Sequence, residues 1–235
     1  MELENQLRVS AMTWGADYFG IADLSPAHDT ILEQGGTELA DYPRSVSIGI
    51  ALPHPIVDQL PRRQERAVAL NYRSHWYDVI NARLDEIISR IASVLQREGY
   101  RAFPVQATKR VDDDRICGVF SHKLSAHLAG LGWIGKNCLL ITPDIGPRVR
   151  WVTVLTDAVL TTKGRPIDER CADCRECVEV CPVKAFTGQT FRAGEPRSAR
   201  FDARKCDRYF SKMREKDVET AVCGLCLYAC PYGRK

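Results

Sequence analysis

Cys171-Ala-Asp-Cys174-Arg-Glu-Cys177-Val-Glu-Val-Cys181-Pro182 decides what the last third of this chain is built around. Four cysteines fall at gaps of two, two and three residues, and a proline follows at once. Cys223, Cys226 and Cys230 repeat the last two gaps, again with a proline, Pro231, behind them, and Cys206 stands between the runs as an eighth thiol. Two-residue gaps let consecutive thiolates curl around three corners of a cubane. The longer step with proline carries the fourth cysteine into the start of a helix. The spacing predicts two [4Fe–4S] clusters, one on Cys171, Cys174, Cys177 and Cys230, the other on Cys181, Cys206, Cys223 and Cys226.

The competing metal reading is a pair of four-cysteine zinc sites. Structural zinc takes two close pairs on separate arms, and three cysteines at this step crowd one tetrahedron. A secreted disulfide scaffold is excluded by placement, because eight of the ten cysteines lie beyond residue 170 and residues 1–116 hold none. Two interleaved clusters in a bacterial ferredoxin-like segment form an electron conduit, so the place where electrons are used is expected upstream.

The chain has 235 residues, 45% of them hydrophobic and 27% charged, which suffices for a core of ordinary size and a small satellite. The net charge of +3 comes from the carboxyl end, with 19 basic against 19 acidic residues through Arg165 and 14 against 11 after it. Each oxidised cluster with its thiolates carries about −2. The basic surplus is therefore read as charge compensation and not as a nucleic-acid stripe, which makes a tRNA substrate unlikely on sequence grounds. No apolar run is long enough to span a bilayer and no export signal opens the chain, so a cytoplasmic protein is expected.

Upstream, residues 3–14 read as an amphipathic helix and 18–22 as a strand. Residues 44–52 alternate Val46, Ile48 and Ile50 against Ser45, Ser47 and Gly49, a strand with one buried face. Prolines 53, 55 and 61 mark 53–63 as a loop. Residues 76–98 carry one long apolar stripe stopped by Gly99, and 121–129 a shorter helix capped by Ser121. An apolar run at 138–141 and a strand at 150–156 complete the set. Interleaved helices and strands predict an α+β domain over 1–165, followed by a cluster domain over 166–235.

Gly130-Leu-Gly132-Trp133-Ile-Gly135 matches G-x-G-x-x-G, but a helix precedes it and an apolar run follows, the reverse of a dinucleotide site. What survives is close backbone approach at the glycines. Ser125-Ala-His127-Leu-Ala-Gly130 lacks the aspartate of a D-x-H-x-x-G corrinoid motif, so His127 is read as a helix-face or core histidine and not as a cobalt ligand. Asp112, Asp113 and Asp114 read as an exposed acidic turn and Cys138 as a buried strand thiol. Arg148 and Arg150 are read either as anion contacts or as an exposed pair.

With GLGWIGKNCLLITP (130–143), VLTDAVL and the eight cysteines in view, including FDARKCDRYF around Cys206 and the ending CGLCLYACP, the sequence resembles the epoxyqueuosine reductases and their wider superfamily with the reductive dehalogenases. It looks like a short form without the helical-repeat extension. The resemblance implies a nitroreductase-like, cobalamin-binding domain joined to a ferredoxin-like domain with two [4Fe–4S] clusters. It implies a corrinoid-dependent oxidoreductase in which Gly130, Gly132, Trp133, Gly135, Lys136 and Asn137 lie against the corrin. The family's general-acid aspartate has no counterpart near Ile116, so the expected proton donors are His122, Lys123 and Asp114. His122 leads, because its unperturbed pKa lies nearest neutrality. The alternatives are an electron-transfer activator of a separate corrinoid protein and a flavin (FMN) reductase on the same fold. A ferredoxin or flavodoxin is the expected electron donor.

Overall fold

The alternating segment does form a strand, and its neighbours bury it on both faces. The structure, a computed structural model, describes residues 2–234. Six strands are present among them: β1 (Tyr18–Asp23), β2 (Arg44–Ala51), β3 (Ala102–Val105), β4 (Trp133–Ile134), β5 (Leu140–Ile141) and β6 (Val149–Thr156). Four make one sheet in the order β1-β2-β6-β3, and β4 pairs with β5 in a small ribbon. β1 runs antiparallel to β2 with Tyr18 opposite Gly49, and β3 antiparallel to β6 with Ala102 opposite Thr156. As an edge strand, β3 tolerates Pro104, which has no N–H to give.

The single buried face expected for 44–52 is corrected: Ser45 and Ser47 are as fully buried as Val46 and Ile48. Helix His122–Leu128 explains part of this, since Ser125 Oγ and Ser45 Oγ share a buried 2.8 Å hydrogen bond. Such a pair satisfies both hydroxyls inside the core. Helix Ile80–Arg97 buries Leu84, Ile87, Ile88, Ile91 and Leu95 along its apolar stripe. Each such side chain contributes about 1.5–3 kcal/mol on burial.

Three other expectations change. Residues 53–63 are not a loop, because His54–Asp58 is a helical turn and Leu60–Arg62 a 3-10 turn, each with proline at its start. There the missing N–H is no loss and the fixed φ is already helical. Within 138–141 only Leu140–Ile141 is strand, and buried Cys138 adopts φ 56 in the turn before it. Ser121 does precede the helix at His122, but its hydroxyl makes no capping bond.

The chain divides into two compact units, each assembled from separate stretches. One comprises the N-terminal stretch through Ile50, Asn81–Gly132 and Arg150–Ile167, and holds the four-stranded sheet. The other comprises Ala51–Ile80, Trp133–Val149 and the residues from Asp168 onward. The cysteine segment thus starts a new stretch at Asp168, close to the 165/166 division expected from sequence, but two upstream stretches belong to its unit. No helix among the described residues is long and apolar enough to cross a membrane.

Candidate iron–sulfur and cofactor site

Within the second unit, short local elements present the thiols. Cys177 sits on the turn Glu176–Glu179 and Cys226 on Leu225–Tyr228. Cys206 lies in the first turn of helix Ala203–Lys216, where the Asp202 carboxylate accepts the Lys205 N–H at 3.0 Å and fixes the helix start. Gly224, between Cys223 and Cys226, has φ +67, and a Cβ there would stand 2.8 Å from Leu60 Cδ1 and 3.0 Å from the Tyr72 hydroxyl. Only glycine meets both demands.

Cys171, Cys174, Cys177 and Cys230 line one cavity together with Lys136, Asn137, Ile141, Pro231 and Tyr232. Burial, then the neighbouring Cys171, Cys230 and Cys174, push the Cys177 thiol up to about 12. Cys181, Cys206, Cys223 and Cys226 form the second group. Burial and the nearby Cys223 and Cys181 raise Cys206 to about 11, and burial followed by Cys223 and Cys206 holds Cys226 well above its ordinary value. Thiols this close and this buried do not ionise together unaided; a cationic iron–sulfur core supplies what the set lacks. Among the described residues no three His, Cys, Asp or Glu side chains converge as a single-ion site. Four thiols ringing a volume suit a cubane.

Donors are also in place for sulfur. The Ala185 N–H points to Cys181 Sγ at 3.3 Å. Backbone N–H groups of Lys136, Leu225, Tyr232 and Gly233 lower the thiols of Cys171, Cys223 and Cys230 against the larger upward push of burial. The Trp133 indole N–H is buried with no hydrogen-bond partner, and it too lowers the Cys171 thiol against the larger push of burial. These residues fit two [4Fe–4S] clusters, whose potentials respond to such hydrogen bonds.

The glycine turn faces inward. Gly132, Trp133, Gly135, Lys136 and Asn137 are buried, and Lys136 and Asn137 spend their polar ends on cysteine loops. The Lys136 ammonium donates to the carbonyls of Ala172 and Cys174, the latter at 3.2 Å, and Asn137 Nδ2 donates to the Cys226 carbonyl at 3.1 Å. Gly130, at φ +75, lets the backbone of Arg165 approach, its oxygen 2.7 Å from where a Cβ would be. The edge of the Trp133 ring meets Tyr232, centroids 4.7 Å apart.

The expected proton donors separate. His122, half-buried, is bonded at both nitrogens, to Thr153 Oγ1 and to the Gln106 carbonyl, each at 3.0 Å. Burial first, with Arg150 and Lys123 adding repulsion, lowers its pKa to about 4 against the pull of the Gln106 carbonyl. That overturns the reason for preferring it, a pKa near neutrality. Lys123 follows it on the same helix, and Asp114 lies in the exposed turn. In that turn Asp112 Oδ1 accepts the Arg115 N–H at 2.7 Å and Asp113 pairs with Arg110 at 2.7 Å. His127 gives Nδ1–H to the Gly132 carbonyl at 3.0 Å, and its pKa falls with burial. Arg148 is not an exposed residue: it is fully buried, bonded to Asp58 at 2.7 Å and to His54 Nδ1 at 2.8 Å. Arg150 bonds Asn81 and Thr108.

A feature with no sequence signal lies in the second unit. Residues Ser74–Val79 form a π-helical turn, an insertion-like widening often found at functional sites. Beside it is a cavity of about 310 Å³ lined by Ile56, Gln59, Val68, Asn71, Ser74, His75 and Val79. His75 Nε2 is buried there without a hydrogen-bond partner.

Residues 170–233 match the family model described as a 4Fe-4S double cluster binding domain. The chain therefore carries an iron–sulfur segment of the two-cluster class. Its homologues include epoxyqueuosine reductases: that of Lactococcus garvieae (strain Lg2) is 26% identical over 209 residues, covering 83% of this chain and 53% of that protein. The chain thus spans about half the length of that curated relative. Among solved structures, the catabolic reductive dehalogenase NpRdhA in complex with 3-bromo-4-hydroxybenzoic acid aligns with a TM-score of 0.70 at 22% identity, over 97% of this chain and 31% of that one. An epoxyqueuosine reductase with an epoxyqueuosine-modified tRNA stem loop aligns at 0.64 and 20%, over 99% and 65%. The mixed α/β fold is shared with both. The comparisons leave the sequence argument against a tRNA substrate without support, and they lend none to flavin.

Proposed function

We propose that this chain is an iron–sulfur oxidoreductase of the epoxyqueuosine reductase kind, which draws electrons from a ferredoxin or flavodoxin and uses a corrinoid (cobalamin) to reduce its substrate. The observation that carries the reading is the gathering of eight cysteines into two sets of four, each supplied with N–H donors. In this reading residues 166–235 hold the clusters and 1–165 form a nitroreductase-like domain for cofactor and substrate. The clusters would relay single electrons, and a bound corrinoid would supply the two-electron reducing chemistry.

The chain's own residues divide the work. Cys171, Cys174, Cys177 and Cys230 hold one cluster, and Cys181, Cys206, Cys223 and Cys226 the other. Lys136 and Asn137 fix the cysteine loops by their carbonyls, so the 130–137 turn would meet a corrinoid through its backbone. The cavity beside Ser74–Val79 suits a corrinoid's peripheral carboxamides better: Gln59, Asn71, Ser74 and the unpartnered His75 nitrogen can exchange hydrogen bonds with amides. For the proton, Lys123 and Asp114 remain the donors to test. A tRNA-borne epoxide is one substrate candidate.

A second reading, a reductive activator of a separate corrinoid protein, is favoured by Ile116 standing where a general-acid aspartate is expected. Anaerobic titration of the reconstituted protein with cob(II)alamin, followed by cobalt EPR and visible absorption, tests the first reading. Tight binding with a base-off signal, weakened in His75→Phe, supports it. An unchanged spectrum overturns it in favour of the activator, which would then reduce an added corrinoid protein.

A further inference from the structure

The helix that carries Cys206 also carries an outward-facing row of cations. Every exposed residue of helix Ala203–Lys216 except Glu215 is basic: Arg204, Lys205, Arg208, Lys212, Arg214 and Lys216. At about 100° per residue, all of these but Arg214 fall within an arc of about 120°. Cys206, Phe210 and Met213 lie outside that arc and are partly buried. Cations placed to offset the clusters would share the face of Cys206, and these occupy another. Arg214, off the arc, is drawn to Asp207 at 3.8 Å, and Lys205 reaches Asp202 only at 3.9 Å. Arg208, Lys212 and Lys216 have no ion-pair partner among the described residues. The helix dipole favours Lys216 in the last turn but not Arg204 and Lys205 in the first, where a cation meets the dipole's positive end. Neither cluster charge nor helix stability accounts for the row.

We propose that this cationic face docks an acidic one-electron carrier, a ferredoxin or flavodoxin, and is where electrons enter the cluster on Cys181, Cys206, Cys223 and Cys226. A helix is about 10 Å across, so a carrier seated on the face has little more than the helix between its own centre and the Cys206 sulfur. In the step, the reduced carrier gives up one electron and the oxidised cluster gains it, and no bond forms or breaks. Exposed charges of opposite sign speed encounter and orient the partner without holding it tightly, which suits a carrier that must leave after each transfer. From Arg204 to Lys216 the row covers about 18 Å of helix axis, enough for one small protein. A nucleic-acid contact would gain nothing from lying over a cluster ligand. The proposal rests on the two-cluster reading and on a carrier as the electron source, and the experiment tells their failures apart.

The test follows cluster bleaching by stopped-flow absorbance in the anaerobically reconstituted full chain, with iron counted in every sample. Flavodoxin hydroquinone and, in parallel, the methyl viologen radical cation supply the electrons. Arg208→Glu/Lys212→Glu is expected to lower the second-order rate with flavodoxin about tenfold at low ionic strength. The gap should close at about 1 M salt, where the Debye length is about 3 Å. The viologen, itself a cation, should reduce this variant at least as fast as wild type. Arg97→Glu/Lys109→Glu makes the same change of net charge at exposed cations of the first unit and should match wild type. Equal flavodoxin rates in wild type and Arg208→Glu/Lys212→Glu at low salt and full iron content overturn the proposal. So does an equal slowing with viologen or in Arg97→Glu/Lys109→Glu. A variant that keeps its flavodoxin rate but loses salt-sensitive retention of an RNA stem-loop makes the face a nucleic-acid contact, and the proposal fails. If the charge reversal loads iron poorly, Arg208→Gln/Lys212→Gln decides: a smaller slowing is expected, and an unchanged rate overturns it. Wild type reduced by viologen but not by flavodoxin overturns the carrier reading and the proposal with it. A wild-type content well below about eight irons per chain overturns the underlying cluster reading itself.

Discussion

Acid sensitivity traced to one imidazole gives the sharpest check on the first unit. His122 gives one N–H to the Gln106 carbonyl, which can only accept, so its other nitrogen accepts from the Thr153 hydroxyl, each at 3.0 Å. The neutral ring satisfies both partners. Burial, and then the charges of Arg150 and Lys123, hold its pKa near 4, against 6.5 in the absence of the fold. Between those values the unfolded chain binds the proton and the folded chain does not. Stability therefore rises with pH through that window, and it is lost as pH falls from about 6.5 toward 4. At about 1.36 kcal/mol per pKa unit, the loss between pH 7 and pH 5 is about 2 kcal/mol. For a chain of this size that corresponds to a fall in Tm of roughly 4–8 °C. His122→Gln has nothing to titrate and escapes this component. Urea unfolding of the anaerobic, reconstituted protein by tryptophan fluorescence, at pH 7, 6 and 5, measures it. Acid loss of the clusters is common to both proteins and cancels in the difference. If wild type and His122→Gln lose stability in parallel across that range, the depressed pKa is wrong.

Cys206→Ser should remove or alter one of two cluster EPR signals and leave the other, with iron content falling by about half; loss of neither would separate Cys206 from the ligand set. Gly224→Ala should cost roughly 1–3 kcal/mol, from a left-handed backbone and contact with Leu60 and Tyr72, and should appear as a lower Tm and incomplete cluster loading. Arg148 is fully buried while the Asp58 side chain is 54% exposed, so the two halves of that ion pair are not equivalent. Asp58→Ala strands a buried charge and should cost about 2–3 kcal/mol, whereas Arg148→Met leaves a wetted carboxylate and should cost about 1. Chemical denaturation ranks the two, and the reverse order would refute the burial argument.

What the sequence made legible was short-range. Ligand spacing, the stripe over 80–97, the alternation of 44–52 and the helix before Gly130 are all set by neighbours within a few residues. Long-range placement was not legible. Nothing in 44–52 announces that Ser45 will meet Ser125 and bury the second face. Pro55 and Pro61 read as loop signals because the sequence alone does not say whether a proline interrupts a turn or begins one. The widened turn at Ser74–Val79 hides inside an apolar stripe that reads as ordinary helix. The pKa of a free imidazole points to His122, and burial changes that value.

The same distinction explains why the glycine-rich turn resisted a pattern reading. By pattern, residues 130–137 are a loop open to a flat ligand. By contact, Lys136 and Asn137 are tied to the carbonyls of Ala172, Cys174 and Cys226, and the Trp133 ring lies against Tyr232, two residues beyond Cys230. Leu60 and Tyr72 do comparable service at Gly224, beside Cys223. A ferredoxin that stands alone must brace its cysteine loops from within its own cysteine segment. Here the braces come from stretches beginning at Ala51 and Trp133, which share a compact unit with the residues from Asp168 onward. An isolated 166–235 fragment keeps all eight cysteines yet loses the Lys136 ammonium, the Asn137 amide and the Leu60 and Tyr72 packing from around them. It should take up iron poorly where the full chain fills both sites, and a fragment that reconstituted to the full chain's iron content and midpoints would show those upstream braces to be dispensable.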